Sequence, residues 1–99
     1  MVHRVAPNAE TDLDDIWCYV AKESGSIEIA NRLIDSIVDR FGLLAGFPNL
    51  GRSRNDDFGV GSRSFAVKEY VIVYGVEGDE VQILRVVHGR RDIGFLFPR

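Results

Sequence analysis

The chain lacks the residues and runs that would staple it together or anchor it. It has a single cysteine, Cys18, which excludes a disulfide framework and leaves no pair of thiols for redox chemistry or zinc. No apolar run approaches the length needed to cross a membrane, and the opening residues are too few and too polar for a signal peptide. We therefore expect a cytoplasmic protein in which Cys18 is a buried structural thiol.

The chain also has little net charge, and that charge is unevenly distributed. The formal net charge is −3 over 99 residues, which argues against a protein that coats nucleic acid. Residues 1–49 carry 4 basic and 8 acidic side chains, whereas residues 50–99 carry 8 basic and 7 acidic ones. Any surface that binds anions is therefore local and belongs to the second half of the chain.

Hydrophobic periodicity predicts six elements in a chain of single-domain length. A short strand over residues 2–5 precedes two helices, for which Asn8 and Ser26 are the expected N-caps. Residues 49–61 show little pattern and are predicted to form a surface loop. Strands over residues 63–67, 70–76 and 81–87 follow, joined by tight turns at residues 68–69 and 77–80.

This order predicts an α+β fold of the type β-α-α-β-β-β. Because few residues separate the two helices, they should form an antiparallel hairpin packed on one face of a mostly antiparallel four-stranded sheet. The apolar stripes of the helices and of the middle strand then face each other. The side chains expected to be among the most buried are Trp17, Ile34, Ile37, Phe41 and Ile72.

The last predicted strand is the part of the sequence that points most directly to a function. It has apolar residues on both faces, which indicates a central strand, and it ends in a compact basic turn followed by an apolar tail. A strand that delivers fixed cations is one way to build a site for anions. The turn comprises His88, Gly89, Arg90 and Arg91, and the tail contains Ile93, Phe95, Leu96 and Phe97.

Two residues of this region have alternative interpretations. Arg85 interrupts an apolar strand, so it either pairs with a buried carboxylate or opens onto a groove. His88 is either a general acid or base or, as is commoner beside arginines, a group that orients others by hydrogen bonding. The carboxylates of Asp12, Asp14 and Asp15 are interpreted as a solvated helix face. No cofactor or metal ion is expected, because no phosphate-binding loop or metal-ligand spacing is present.

Several short motifs resemble the ParE branch of the RelE/ParE toxins. They are Asp12-Leu13-x-x-Ile16-Trp17-x-Tyr19, Phe47-Pro48-x-x-Gly51-Arg52, Arg63-Ser64-Phe65, Tyr70-x-Ile72-x-Tyr74 and Val81-x-Ile83-x-x-Val86-x-His88-x-x-Arg91-Asp92. They cover nearly the whole chain in the right order. The resemblance implies the toxin of a type II toxin–antitoxin pair, of the kind associated with plasmid stabilisation, that a small ParD-like antitoxin neutralises by wrapping around it.

The resemblance implies one of two activities. ParE-like toxins inhibit DNA gyrase by binding, whereas RelE-like toxins are ribosome-dependent mRNA endoribonucleases that use clustered cations and, in several, a C-terminal tyrosine. Arg91 matches an arginine of the ribonuclease site, but Ala66 and Phe97 stand where an arginine and the tyrosine are expected. The gyrase inhibitor, which is not an enzyme, is therefore favoured.

The same resemblance, together with the basic turn and the apolar tail, suggests two sets of binding residues. The target-binding candidates are Arg85, His88, Arg90, Arg91, Ile93, Phe95 and Phe97. The antitoxin-binding candidates are Leu13, Trp17, Arg63, Phe65 and Arg85. A hetero-oligomer of toxin and antitoxin is the expected assembly.

Overall fold

A computed structural model describes residues 2–54 and 61–89 of the chain as a helical hairpin and a sheet. The elements are β1 (Val2–Val5), α1 (Pro7–Ser24), α2 (Ile27–Gly46), a 3₁₀ turn (Pro48–Leu50), β2 (Arg52–Ser53), β3 (Ser62–Val67), β4 (Tyr70–Glu77) and β5 (Glu80–His88). The predicted α+β order is confirmed. Within these residues no helix is both long enough and apolar enough to span a membrane.

The sheet has the strand order β1-β5-β4-β3-β2. β1 runs parallel to β5, and the other neighbouring strands are antiparallel. β5 lies between β1 and β4, which confirms that it is a central strand. The sheet has five strands where four were predicted. The additional strand is β2, whose residues Arg52 and Ser53 belong to the predicted surface loop and pair with Ser64 and Arg63 of β3. Two residues are too short a run to show the alternation that identifies a strand in sequence.

The core lies between the helical hairpin and the sheet. Ile37, Phe41 and Ile72 are at most 1% exposed, as predicted. Trp17 and Ile34 are only half-buried, so their prediction as most-buried residues is wrong. At 3.6 residues per turn Trp17 is rotated by about 100° from the buried Ile16, which places its large ring beside the apolar stripe. Ile34 packs against the core from the edge of its own stripe.

Cys18 is exposed, and the prediction of a buried thiol is wrong. Two positions beyond Ile16, it is rotated by about 200° around the helix and faces away from the sheet. The core-facing positions of α1 are instead those at spacings of three and four residues. They are Ala9, Leu13, Ile16 and Val20.

The two helices begin in different ways. Ser26 caps α2, since its hydroxyl accepts the backbone N–H of Ile29 at 3.2 Å, as predicted. Asn8 does not cap α1, which begins one residue earlier at Pro7 after the N-cap position Ala6. Proline suits the first helical position because its φ is already helical and it has no N–H that would need a partner there. The proline therefore starts the helix without a side-chain cap.

Candidate functional site

β5 carries an extra residue just before Arg85. Val73 on β4 faces Arg85 but the next residue, Tyr74, faces Ile83, so Leu84 is the additional residue in β5. Such a bulge bends a strand and changes the direction of the side chains that follow. The pairing of β1 with β5 also stops at Ile83. From Leu84 onwards, the edge of β5 that β1 covers earlier in the strand is therefore unpaired with β1.

Asp12 on α1 binds this uncovered part of β5. Its carboxylate accepts hydrogen bonds from Arg85 Nε at 2.7 Å and Nη2 at 2.9 Å, and from the backbone N–H of Val86 at 2.9 Å. The Asp12 side chain is only 12% exposed and that of Arg85 28%. Three charge-assisted hydrogen bonds offset the cost of burying the carboxylate. Of the two interpretations of Arg85, pairing with a buried carboxylate is the one observed.

The interpretation of the three aspartates as a solvated face holds for two of them. Asp14 and Asp15 are exposed, but Asp12 is not, and its assignment to that face is wrong. The reason is a contact between residues 73 positions apart, which helical periodicity does not reveal. The one sequence signal for such a contact was Arg85, because an arginine inside an apolar strand needs either a groove or a buried carboxylate, and the sequence does not say which carboxylate.

His88 lies at the end of β5 against the β3–β4 turn. Its ring meets that of Tyr70 edge to face, with centroids 5.5 Å apart, and its Nε2 lies 3.9 Å from a carboxylate oxygen of Glu69. The Glu69 side chain is 80% exposed, so solvent screens this pair. The backbone N–H of Gly89 donates to the Glu69 carbonyl at 2.9 Å. These contacts favour a positional role for His88 over acid–base catalysis.

The Tyr74 hydroxyl holds the Pro48–Leu50 turn and the start of β2 against the sheet. It donates to the Pro48 carbonyl at 2.7 Å and accepts the Gly51 N–H at 2.8 Å, and Arg63 Nη1 donates to the Gly51 carbonyl at 2.7 Å. Burial of the phenol raises the pKa of Tyr74 above its usual value, although the Gly51 hydrogen bond and the Arg63 charge oppose this. The motif Pro48-x-x-Gly51 and the antitoxin-binding candidate Arg63 thus shape this corner of the fold.

Replacing Gly51 with alanine should destabilise the protein by about 1–3 kcal/mol, as overpacking does. A Cβ at this position would collide with the Tyr74 hydroxyl and come within 2.6 Å of its ring. Gly42 in α2 is the matched control, because nothing lies within 4 Å of a Cβ there. Gly42→Ala should stabilise the helix by about 1 kcal/mol. Urea denaturation of both variants measures the difference, and equal effects of the same sign would contradict the role of Gly51.

The apolar antitoxin-binding candidates occupy different environments. Leu13 and Phe65 are half-buried and pack against the core. Trp17 lies between the two helices, where its indole Nε1 donates to Asn31 Oδ1 at 2.7 Å. The candidates thus come from different elements: Trp17 belongs to the helical hairpin, and Phe65 to β3.

Most of the target-binding candidates lie outside the described residues. This applies to Arg90, Arg91, Ile93, Phe95 and Phe97. Among the described residues, Ala66 is exposed on β3 opposite Val71. Within that same part of the chain, no group of three or more His, Cys, Asp or Glu side chains is placed to hold a metal ion.

The described geometry corresponds to the RelE/ParE-like class of fold, in which two helices pack on one face of a mixed sheet. A family model described as "ParE toxin of type II toxin-antitoxin system, parDE" matches residues 4–93. Toxin ParE3 of Caulobacter vibrioides is 35% identical over 82 residues, which cover 83% of this chain and 80% of the relative. Toxin ParE1 of the same organism is 31% identical over 88 residues, which cover 87% and 86%.

A solved structure agrees with these sequence matches. It is described as the chromosomal ParDE TA system from P. aeruginosa, and it superposes with a TM-score of 0.77 at 27% identity. The match covers 89% of this chain and 95% of the other. The chain belongs to the ParE toxin family of type II toxin–antitoxin systems.

Proposed function

We propose that this ParE-family toxin inhibits DNA gyrase by binding it, has no nuclease chemistry of its own, and is neutralised by a ParD-like antitoxin. The observation that carries the proposal is that three arginines of the described residues make hydrogen bonds within the fold. Arg85 binds Asp12, Arg63 binds the Gly51 carbonyl, and Arg54 Nε donates to the Ser64 hydroxyl at 2.8 Å. Guanidinium groups held in this way support the fold instead of gathering around a phosphate.

Phosphodiester cleavage requires more than a few scattered cations. It needs an oriented nucleophile, an acid for the leaving group and several preorganised charges around the phosphate. Each lost stabilising group typically costs about 10²–10³-fold in rate. The exposed Ala66 supplies no charge where the RelE pattern has an arginine, and Phe97 has no hydroxyl where that pattern has a tyrosine. A binding inhibitor needs none of these groups, which supports gyrase inhibition over the ribonuclease alternative.

The antitoxin half of the proposal is supported by apolar surface on the helical hairpin. Ile27 is 61% exposed, Ile29 49% and Val38 41%, all on α2. At 3.6 residues per turn Ile27 and Val38 lie on the same side of α2, and exposed apolar side chains that share a face often belong to a surface that a partner covers. The P. aeruginosa structure is described as a ParDE toxin–antitoxin system. A ParD-like chain is therefore the partner that we propose here.

Truncation of the chain after Asp92 should abolish gyrase inhibition while the toxin still binds its antitoxin. In sequence, the removed tail places Ile93, Phe95 and Phe97 beside Arg90 and Arg91, and apolar anchors next to arginine are enriched at tight protein interfaces. Binding of purified gyrase to immobilised full-length and truncated toxin measures the loss. Circular dichroism of both forms checks that the truncated chain is folded.

Substitutions within the tail distinguish the effect of removing the whole tail from the effect of removing its aromatic side chains. Replacing Phe95 and Phe97 with serine in the full-length chain should weaken gyrase binding by the same mechanism. If the folded truncated chain bound gyrase as tightly as the full-length one, the tail would not be the target-binding segment.

A further inference from the structure

The end of β5 is bound to the β3–β4 turn, which Lys68 and Glu69 form. The backbone N–H of Gly89 donates to the Glu69 carbonyl at 2.9 Å. One residue earlier, the His88 ring packs edge to face on Tyr70, a core residue that is 5% exposed. The His88 side chain is itself only 15% exposed. The chain therefore leaves the sheet from a point held by a backbone hydrogen bond and by a largely buried ring.

The turn has a backbone conformation that its surroundings must maintain. Lys68 has a left-handed φ of 55°, which residues with a Cβ adopt only rarely. Such conformations persist where the surrounding structure fixes them, and they cluster at functional sites. The Gly89 backbone lies so close to the turn that a Cβ there would touch the Glu69 carbonyl oxygen and Val71 Cγ2, each at 3.4 Å. The turn and the end of β5 thus fix each other's position.

The segment proposed to bind gyrase begins directly after this fixed point. Arg90 is the next residue in sequence, and the apolar tail follows Arg91 and Asp92. A binding segment whose first residue is fixed loses less conformational freedom on binding than one that begins after a flexible linker. The contacts at the end of β5 are made by a backbone carbonyl and by rings that are largely buried, so they offer gyrase little surface of their own.

We propose that the β3–β4 turn and His88 position the C-terminal segment for gyrase binding without contacting gyrase themselves. The inference rests on the proposed function, because it names what orients the segment that binds the target. The Glu69 carbonyl sets the direction of the chain at Gly89, and the His88 ring against Tyr70 keeps the end of β5 in place. His88 is then a positioning residue and not one of the residues that contact the target.

Two substitutions at Gly89 test the hydrogen bond. Gly89→Pro removes the N–H that binds Glu69 and Gly89→Ala keeps it, while the extended backbone of His88 is compatible with a following proline. The Kd of purified gyrase for the immobilised full-length toxin is measured for the wild type and both variants. Gly89→Pro should raise Kd by about five- to tenfold, as the loss of one hydrogen bond does, whereas Gly89→Ala should change it by less than about twofold. Urea denaturation of each protein ensures that binding is compared between folded chains.

A second pair of variants tests the ring contact. His88→Phe keeps a ring against Tyr70, and His88→Ala removes it. His88→Ala should weaken gyrase binding, and His88→Phe should restore most of it. Equal weakening by both substitutions would mean that gyrase binds the imidazole itself, and it would overturn the positioning role.

Combination with the tail substitutions separates positioning from general damage to the fold. Gly89→Pro is introduced into the chain in which Phe95 and Phe97 are replaced with serine, and its effect on Kd is compared with its effect in the wild type. If Gly89 acts through the tail, the combined loss should be less than additive. Additive losses, or a Gly89→Pro toxin that binds gyrase as tightly as the wild type, would overturn the positioning proposal and leave the proposed function intact. A wild-type toxin that does not bind gyrase would overturn both.

Discussion

Replacing Phe41 with alanine should lower the free energy of unfolding by about 3–5 kcal/mol, the range for large-to-small changes in a core. Phe41 is 1% exposed in the core between the helices and the sheet. Its ring also meets that of His3 on β1 at a centroid distance of 5.9 Å. Truncation would therefore leave a cavity where α2 contacts β1, in addition to the lost apolar burial.

The same helix provides a matched control for this variant. Leu43 is two residues further along α2 and 37% exposed. Leu43→Ala should cost clearly less than Phe41→Ala, since more than a third of the Leu43 surface is exposed in the folded protein. Urea denaturation of both variants at neutral pH gives the comparison. A loss below about 1 kcal/mol for Phe41→Ala would contradict a core centred on the helix–sheet interface.

Replacing Asp12 with alanine should cost about 2–4 kcal/mol of stability, close to the loss expected when one partner of a buried ion pair is removed. The change leaves the Arg85 guanidinium without its carboxylate and the Val86 N–H without its acceptor. We expect a loss somewhat smaller than that of a fully buried ion pair, because the Arg85 side chain is 28% exposed and water can reach it. Asp12→Asn should cost less, because the amide oxygen can still accept one hydrogen bond.

Asp14→Ala is the control for this variant, because it removes an exposed carboxylate from the same turn of α1. It should change stability by no more than about 0.5 kcal/mol. If the Asp12 and Asp14 variants were equally stable, the Asp12–Arg85 pair would contribute nothing to the fold. Native-state hydrogen exchange gives a second readout, since the Val86 amide should exchange faster in the Asp12→Ala protein.

The elements in which apolar residues recur at a regular spacing were predictable from the sequence. Apolar residues at spacings of three and four identify α2, and the residues that centre this stripe, Ile37 and Phe41, are the ones found in the core. The turn at residues 68–69 was equally visible as a short polar break between two strands, although Lys68 takes a left-handed φ of 55° there. Such signals are local, and local signals survive folding when tertiary contacts agree with them.

The features that the sequence did not reveal depend on single long-range contacts. β2 exists because two residues find partners on β3, and the neighbouring turn is held by one tyrosine hydroxyl from β4. Asp12 looks like its exposed neighbours until Arg85 is placed beside it. The Tyr74 and Asp12 contacts join residues 26 and 73 positions apart. Periodicity carries no information about which distant residues meet.

The roles of individual site residues were harder to predict from the sequence than the fold. The sequence motifs identified the toxin family, and its members match nearly the whole chain. Individual residues were harder to assign, because an arginine chosen as an anion ligand looks the same in sequence as one that supports the fold. Arg63 and Arg85 were both named as binding candidates, and both donate hydrogen bonds within the chain.

Supercoiling of relaxed plasmid by purified gyrase is the direct test of the proposed gyrase inhibition. Full-length, antitoxin-free toxin is titrated into the reaction, and ribosome-bound message is incubated with the same preparation in parallel. We expect supercoiling to fall as the toxin approaches stoichiometry with gyrase, added ParD-like antitoxin to restore it, and the message to stay intact. Gyrase activity unchanged by a stoichiometric excess of folded toxin, or cleavage of the message, would refute gyrase inhibition as the function.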